Sequence, residues 1–124
     1  MHYNVGSDFI YLDLLEQIVL QENPDILTLG EACPEEIEQL KKHYLTAAFE
    51  ISPGRVHGNA ALLKKNVRSR SIPGLRNSLI EVVGDEFAFY VCHLSAGGGE
   101  DKRLDELELL LGEAAKHDHY IIVG

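Results

Sequence analysis

The sequence predicts an α/β or α+β layered sandwich with a mixed, largely antiparallel sheet. Three observations carry this expectation. Amphipathic helical segments alternate with short apolar runs in the first third, two β-rich runs meet at Gly84-Asp85, and a leucine-bearing helix leads into Tyr120-Ile121-Ile122-Val123. The spacing of Phe9, Leu12, Leu15, Ile18 and Val19 predicts a helix over Asp8 to Gln21, with Ser7 or Asp8 as its cap. Asn23-Pro24-Asp25 ends it, because proline disfavours helical geometry in its predecessor. Ile26 to Leu29 then reads as a buried strand. A second helix starts at Pro34, with Glu35 and Glu36 at its positive end and Lys41 and Lys42 at its negative end.

Tyr44 to Glu50 is expected as a strand, Ser52-Pro53-Gly54 as a turn, and Gly58 to about Arg70 as a further strand group. Leu79 to Val83 and Glu86 to Leu94 form an antiparallel pair across the two-residue signal Gly84-Asp85. Ser95 to Glu100 is a loop. From Arg103 to Ala115, Leu104, Leu107, Leu110, Leu111 and Ala114 are expected to cover one side of the sheet.

At 124 residues, with 45% hydrophobic and 25% charged residues, the chain has room for one domain and the composition of a soluble one. Eleven Lys+Arg against 20 Asp+Glu leave a formal net charge of -9, which excludes a generally basic surface that holds nucleic acid through phosphates alone. The longest stretch without a charged residue, Phe87 to Gly99, is too short to span a bilayer. Met1-His2-Tyr3-Asn4 has no basic and apolar leader pattern, so a cytoplasmic location is expected of the sequence as given. Cys33 and Cys92 lie apart in apolar contexts, as expected of two reduced core thiols.

Three polar residues stand at the ends of apolar segments: Asn4 after Tyr3, Glu31 after Ile26 to Leu29, and His93 after Phe89 to Val91. Ligands of open α/β sheets collect outside the carboxyl ends of strands. A carboxylate there needs a partner, and a hard divalent cation is one common partner. Other clusters are weaker. His117-Asp118-His119 links a helix to a strand, Gly97 to Lys102 lacks the ending of a phosphate loop, and Ser95 fits no nucleophile elbow. Lys64, Lys65, Arg68, Arg70 and Arg76 gather five of the eleven cations, either as a charge-guarded strand edge or as a phosphate-facing rim.

Tyr3-Asn4-Val5, an amphipathic helix, and Asn23 to Glu31 together resemble the opening of the endonuclease/exonuclease/phosphatase superfamily. Gly58-Asn59-Ala60-Ala61-Leu62-Leu63 resembles its central strand, Val91-Cys92-His93-Leu94 its His-Leu strand, Arg103-Leu104-Asp105-Glu106 the following helix, and Tyr120 to Gly124 the strand that leads into Gly-Asp-x-Asn. The resemblance implies a partial four-layer α/β sandwich with helices on one face of the sheet. It implies a metal-dependent phosphoesterase in which Glu31 binds Mg²⁺ or Mn²⁺, Asn4 helps hold metal and phosphate, Asn59 contributes to substrate binding and His93 lies near the scissile phosphate. The substrate would be a phosphate ester: nucleic acid, a phospholipid head group or a nucleotide. Gly30 departs from the family, which usually has Gln there. The Asp and Asn of Gly-Asp-x-Asn and a late Asp-His pair are absent from this chain. Residues 1–124 are therefore expected to be an inactive amino-terminal half of the domain, self-associating through an exposed sheet face, or a noncatalytic half that pairs with a separate piece.

Overall fold

The computed structural model describes residues 1–6, 12–74, 77–94 and 99–124. The expected α/β sandwich has two sheets, each mixed. One contains β1 (His2–Asn4), β2 (Ile26–Ala32), β3 (Thr46–Ile51) and β4 (Gly58–Leu63), in the order β1-β2-β4-β3. The other contains β5 (Arg68–Ser71), β6 (Leu79–Val83), β7 (Ala88–Cys92) and β8 (Tyr120–Val123), in sequence order. Only β1 with β2 and β7 with β8 run parallel among the paired strands; the rest are antiparallel, as the sequence predicts.

The strands pair because alternate side chains serve two different layers. On β4, Ala61 and Leu63 face the second sheet and pack with Ile80, Val82, Phe89 and Val91. Ala60 and Leu62 face the other way, into a layer with Leu15 and Val19 of α1 (Leu12–Glu22) and Ile37 and Leu40 of α2 (Pro34–Leu40). On the second sheet, Leu79, Ala88 and Tyr90 meet Leu110 and Ala114 of α3 (Glu100–Ala114). The order is thus helix, sheet, sheet, helix, and each sheet carries its helices on one face. The expectation of a sheet face left open to water is corrected here: the two inner faces cover each other. The edge strand β8 exposes Tyr120 and Ile121, among other apolar residues scattered over the surface.

Several boundaries move. β2 runs on through Glu31 to Ala32. Helix α2 stops at Leu40, and Lys41–His43 form a short 3₁₀ turn, so Lys41 and Lys42 lie past the helix end instead of in its last turn. Lys42 Nζ and His43 Nε2 reach back to Glu16, at 2.8 and 2.6 Å, and Gln39 donates to the same carboxylate at 2.7 Å. These partners, His43 foremost, hold the Glu16 carboxyl down to about 2 and tie α1 to α2. In the β6–β7 hairpin Gly84 N–H donates to the Phe87 carbonyl, which makes Asp85-Glu86 the turn pair, one residue later than predicted. The expected cap at Ser7 or Asp8, Phe9, the loop residues 95–98 and Arg76 lie outside the described residues.

The largest correction concerns α3. Its buried residues are Glu106, Leu110 and Ala114, an i, i+4, i+8 row, whereas Leu104, Leu107 and Leu111 are exposed. A polar network fixes this rotation. Glu81 on β6, 3% exposed, pairs with Arg70, accepts the Tyr90 hydroxyl at 2.7 Å and lies 3.3 Å from His117 Nε2. Arg70 also binds Glu113 at 2.9 Å, and Tyr90 donates to the Glu113 carbonyl at 3.0 Å. The network therefore holds the carboxyl end of α3 against β5, β6 and β7, and its leucines turn away. A buried carboxylate is tolerable because every approach to it carries a donor.

Leu110→Ala should lower stability by about 2 to 5 kcal/mol through lost burial and a cavity, and Leu107→Ala by much less, read as urea midpoints of the two variants. Arg70, with Tyr90 and His117, holds the Glu81 carboxyl down to about 2 against an ordinary 4.5. A carboxyl whose folded pKa is depressed adds stability above its unfolded pKa and loses it as pH falls through the folded one. Glu81→Gln should flatten the acid limb of the stability curve between about pH 4.5 and 2, measured by chemical denaturation at stepped pH.

Candidate metal and phosphate site

Three of the residues singled out in the sequence come to one end of the sandwich. β1 pairs with β2 so that Asn4 stands opposite Gly30, one residue before Glu31. Asn4 Oδ1 accepts the Gly6 N–H at 3.2 Å, an Asx turn that fixes the side chain as the chain leaves β1. A Cβ placed on Gly30, where the family usually has Gln, would lie 3.8 Å from Asn4 Oδ1, in ordinary van der Waals contact with the asparagine.

Glu31 has φ 56, a left-handed conformation rare outside glycine. The cause is a break in register: Leu29 pairs with Ala60, but Ala32 pairs with Gly58, so Gly30 and Glu31 together stand against Asn59. Such a bulge re-aims a side chain that regular pleating would have turned elsewhere. It carries Glu31 Oε1 to 3.4 Å from Nε2 of His93, which follows β7 of the other sheet. Both side chains are partly open to solvent, at 27% and 32%.

Asn59 sits behind this pair, 1% exposed. Its side chain donates to the Ser78 carbonyl at 2.6 Å and its backbone N–H to Ser78 Oγ at 3.0 Å. The next residue back, Asn77, donates its amide to the His93 carbonyl at 2.8 Å. Asn59 on one sheet is thus linked through Ser78 and Asn77 to the backbone of His93 on the other. Gly58, the residue before Asn59, lets β3 and β4 pair closely there, since a Cβ would meet the Glu50 carbonyl oxygen at 1.8 Å. Sequence reading missed Asn77 and Ser78. The only signal was their place just before the apolar run at Leu79, and polar residues bounding a strand are common.

A hydrated Mg²⁺ takes one or two protein carboxylates with substrate phosphate and water as its other ligands. Glu31 and the Asn4 amide oxygen fit in kind, being hard oxygen donors on neighbouring strands. Among the described residues no group of three His, Cys, Asp or Glu could hold a metal ion. His117 belongs to the Glu81 network, and the backbone carbonyl of His119 accepts from Ala88 N–H. Cysteine chemistry is disfavoured too: burial, with Glu106 nearby, pushes the Cys92 thiol up to about 11, and burial raises that of Cys33. Both thiols are free. The basic cluster divides. Arg70 is engaged by Glu81 and Glu113, Lys64 binds the Asn23 carbonyl and side chain, and Lys65 and Arg68 lie toward the opposite end of the sandwich. Ser95, Gly97 and Gly98 fall outside the described residues.

The fold is that of the endonuclease/exonuclease/phosphatase superfamily. Solved structures similar to it include TDP2 from D. rerio complexed with single strand DNA product, 17% identical with a TM-score of 0.70 over 98% of this chain and 56% of that one. TDP2 from C. elegans is 18% identical, with a TM-score of 0.69 over 90% of this chain and 40% of that one. ANGEL2, a 2',3'-cyclic phosphatase, is 17% identical, with a TM-score of 0.68 over 93% of this chain and 46% of that one. The chain thus spans about half the length of these structures. No family model and no curated protein sequence matches it.

Asn59→Ala should cost about 1 to 3 kcal/mol, because it strands the buried Ser78 carbonyl. The same change should shift the His93 imidazole resonances relative to the parent protein, which reports on the link from Asn59 to the site. Unchanged resonances would show that the link does not position His93.

Proposed function

We propose that this chain is the amino-terminal, Glu31-bearing part of a Mg²⁺-dependent phosphoesterase and is inactive on its own. The observation that carries this reading is the bulge at Glu31, where a left-handed backbone and a broken register bring a lightly compensated carboxylate beside a histidine of the other sheet. Backbone strain of this kind costs on the order of 1 to 3 kcal/mol, and it clusters at functional sites.

Glu31 and Asn4 would hold the ion, and a bound Mg²⁺ supplies Lewis acidity toward a phosphoryl oxygen. His93 Nε2, 3.4 Å from the Glu31 carboxylate, would donate to a non-bridging phosphate oxygen. Asn59 holds the His93 backbone through Ser78 and Asn77, and so acts as a positioning residue. This departs from a direct substrate contact by Asn59, because its amide is buried and engaged. Among the described residues no group of three His, Cys, Asp or Glu that could hold a metal gathers around Glu31, which supports the reading that the chain alone is inactive.

TDP2 and ANGEL2 have been solved with a DNA product and with adenosine-2',3'-vanadate, which supports a nucleotide-type phosphate ester over a lipid head group. The net charge of -9 favours a short or single-nucleotide substrate over long nucleic acid. No helix among the described residues is long and apolar enough to cross a membrane.

A second reading, a noncatalytic half that pairs with a separate carboxy-terminal piece, is favoured by the exposed row Leu104, Leu107 and Leu111 on α3 and by exposed Tyr120 and Ile121 on the edge strand β8. Apolar groups in such a row mark contact surfaces.

Titration of the isotope-labelled chain with Mn²⁺ should broaden the amide signals of Asn4 and Glu31 first, and Glu31→Gln should remove the effect. Broadening that ignores Glu31 would overturn the metal assignment. Turnover of a phosphodiester by the pure chain, lost in Glu31→Gln, would instead overturn the claim of inactivity and leave Glu31 in place.

A further inference from the structure

β3 and β5 are edge strands of their sheets, and Ser71 Oγ on β5 donates to Glu50 on β3 at 2.6 Å, so the two edges lie on one side of the sandwich. The β5 edge carries Arg68 and Arg70, and charge of this kind keeps a strand edge from pairing with another chain. The β3 edge has no such guard. Over Thr46–Ile51 the one charged residue is Glu50, whose carboxylate is turned to the other sheet, and no proline interrupts the strand.

The phase of the β3 backbone follows from its neighbours. Lys64 N–H donates to the Asp25 carbonyl and Ser52 N–H to the His57 carbonyl. In antiparallel pairs the bonded positions alternate, so with this register Ala60 and Leu62 bond toward β2, Ala61 and Leu63 bond toward β3, and Thr46, Ala48 and Glu50 turn their backbone groups to β4. The N–H and C=O groups of Ala47, Phe49 and Ile51 therefore point outward, in the spacing that another strand would match. Their side chains share the helix-covered face with Leu45. Phe49 packs against the helical layer there, whereas Leu45 is 67% and Ile51 43% exposed. A strand added at this edge would lay alternate apolar side chains beside Leu45 and Ile51.

An exposed cation stands at each end of the edge. Thr46 Oγ1 donates to the Lys65 carbonyl at 2.8 Å, which sets Lys65 at the start of β3, and Arg55 lies just past its end, in a turn closed by Arg55 N–H and the Ser52 carbonyl at 3.0 Å. Two-fold pairing of β3 with a second copy of this chain would bring Lys65 of each copy toward Arg55 of the other, and like charges set opposite each other destabilise a strand pair. A strand with a carboxylate at each end meets opposite charge at both.

We propose that the β3 edge binds an extended segment of a partner protein by strand addition, with aliphatic residues beside Leu45 and Ile51 and acidic residues at both ends, at Lys65 and Arg55. This surface does not depend on the reading of Glu31 given above.

The probe is the end-blocked peptide Glu-Val-Thr-Val-Thr-Val-Glu, with a version carrying Lys at both ends and a version N-methylated at the central Val as controls. Calorimetry should show the Glu-ended peptide binding about tenfold tighter than the Lys-ended one, and N-methylation should abolish binding. Hydrogen exchange at the Ala47, Phe49 and Ile51 amides should slow on binding while that of β8 stays unchanged. Arg55→Glu with Lys65→Glu should reverse the order of the two peptides and leave the urea midpoint unchanged. Ala47→Pro, which removes an outward N–H and no bond to β4, should weaken the Glu-ended peptide by about tenfold or more. Equal binding of the two peptides, protection at β1 or β8 in place of β3, or no binding of either peptide would overturn the proposal. A doubling of mass in sedimentation with the same three amides protected would overturn it too, because the occupant would then be a second copy.

Discussion

The constraint on which the rest of this structure depends is the burial of two sheets against each other. Ala61 and Leu63 from one sheet and Ile80, Val82, Phe89 and Val91 from the other form a dry layer, and β4 is buried along its whole length. Once the inner faces are joined, each outer face needs its own cover, which α1 and α2 supply on one side and α3 on the other. The same stacking sets strand ends from both sheets side by side. Glu31 and His93 lie far apart in the chain and on different sheets, and they meet only because those sheets are packed in this register.

Three glutamates show how environment sorts one side chain into different roles. Glu81 is almost fully buried, and its charge is matched by Arg70, Tyr90 and His117. Glu16 is matched by His43, Lys42 and Gln39. Both are held far below the ordinary carboxylate range, and both join elements that would otherwise slide. Among the described residues Glu31 has one histidine at 3.4 Å, a partner that is charged only when protonated, and it stands on a strained backbone. A carboxylate so lightly compensated keeps oxygen lone pairs available to an incoming cation.

The β2 bulge and the Asn59 link deal with one mechanical problem from two sides. The bulge turns Glu31 out of the pleat, and the chain of hydrogen bonds from Asn59 through Ser78 and Asn77 holds the backbone of the partner histidine. A site assembled across two sheets would loosen with any sliding between them. Buried amide contacts resist such sliding with a directionality that apolar packing lacks.

Much of the fold was legible in local patterns. Helical spacing located the helices, alternation and turn residues located most strands, and the β6–β7 hairpin was misplaced by only one residue. Asn4, Glu31 and His93 were legible as polar residues ending apolar runs. What the sequence could not decide was anything that depended on a distant partner. The leucines of α3 form a convincing apolar row, yet Leu104, Leu107 and Leu111 face outward, because Glu113 is fixed by Arg70 and Tyr90 from other strands. The bulge at Glu31, the burial of Asn59 and the separation of Lys65 and Arg68 from the Glu31 end are likewise tertiary. Each depends on which surfaces meet after collapse, and local propensity carries no information about that.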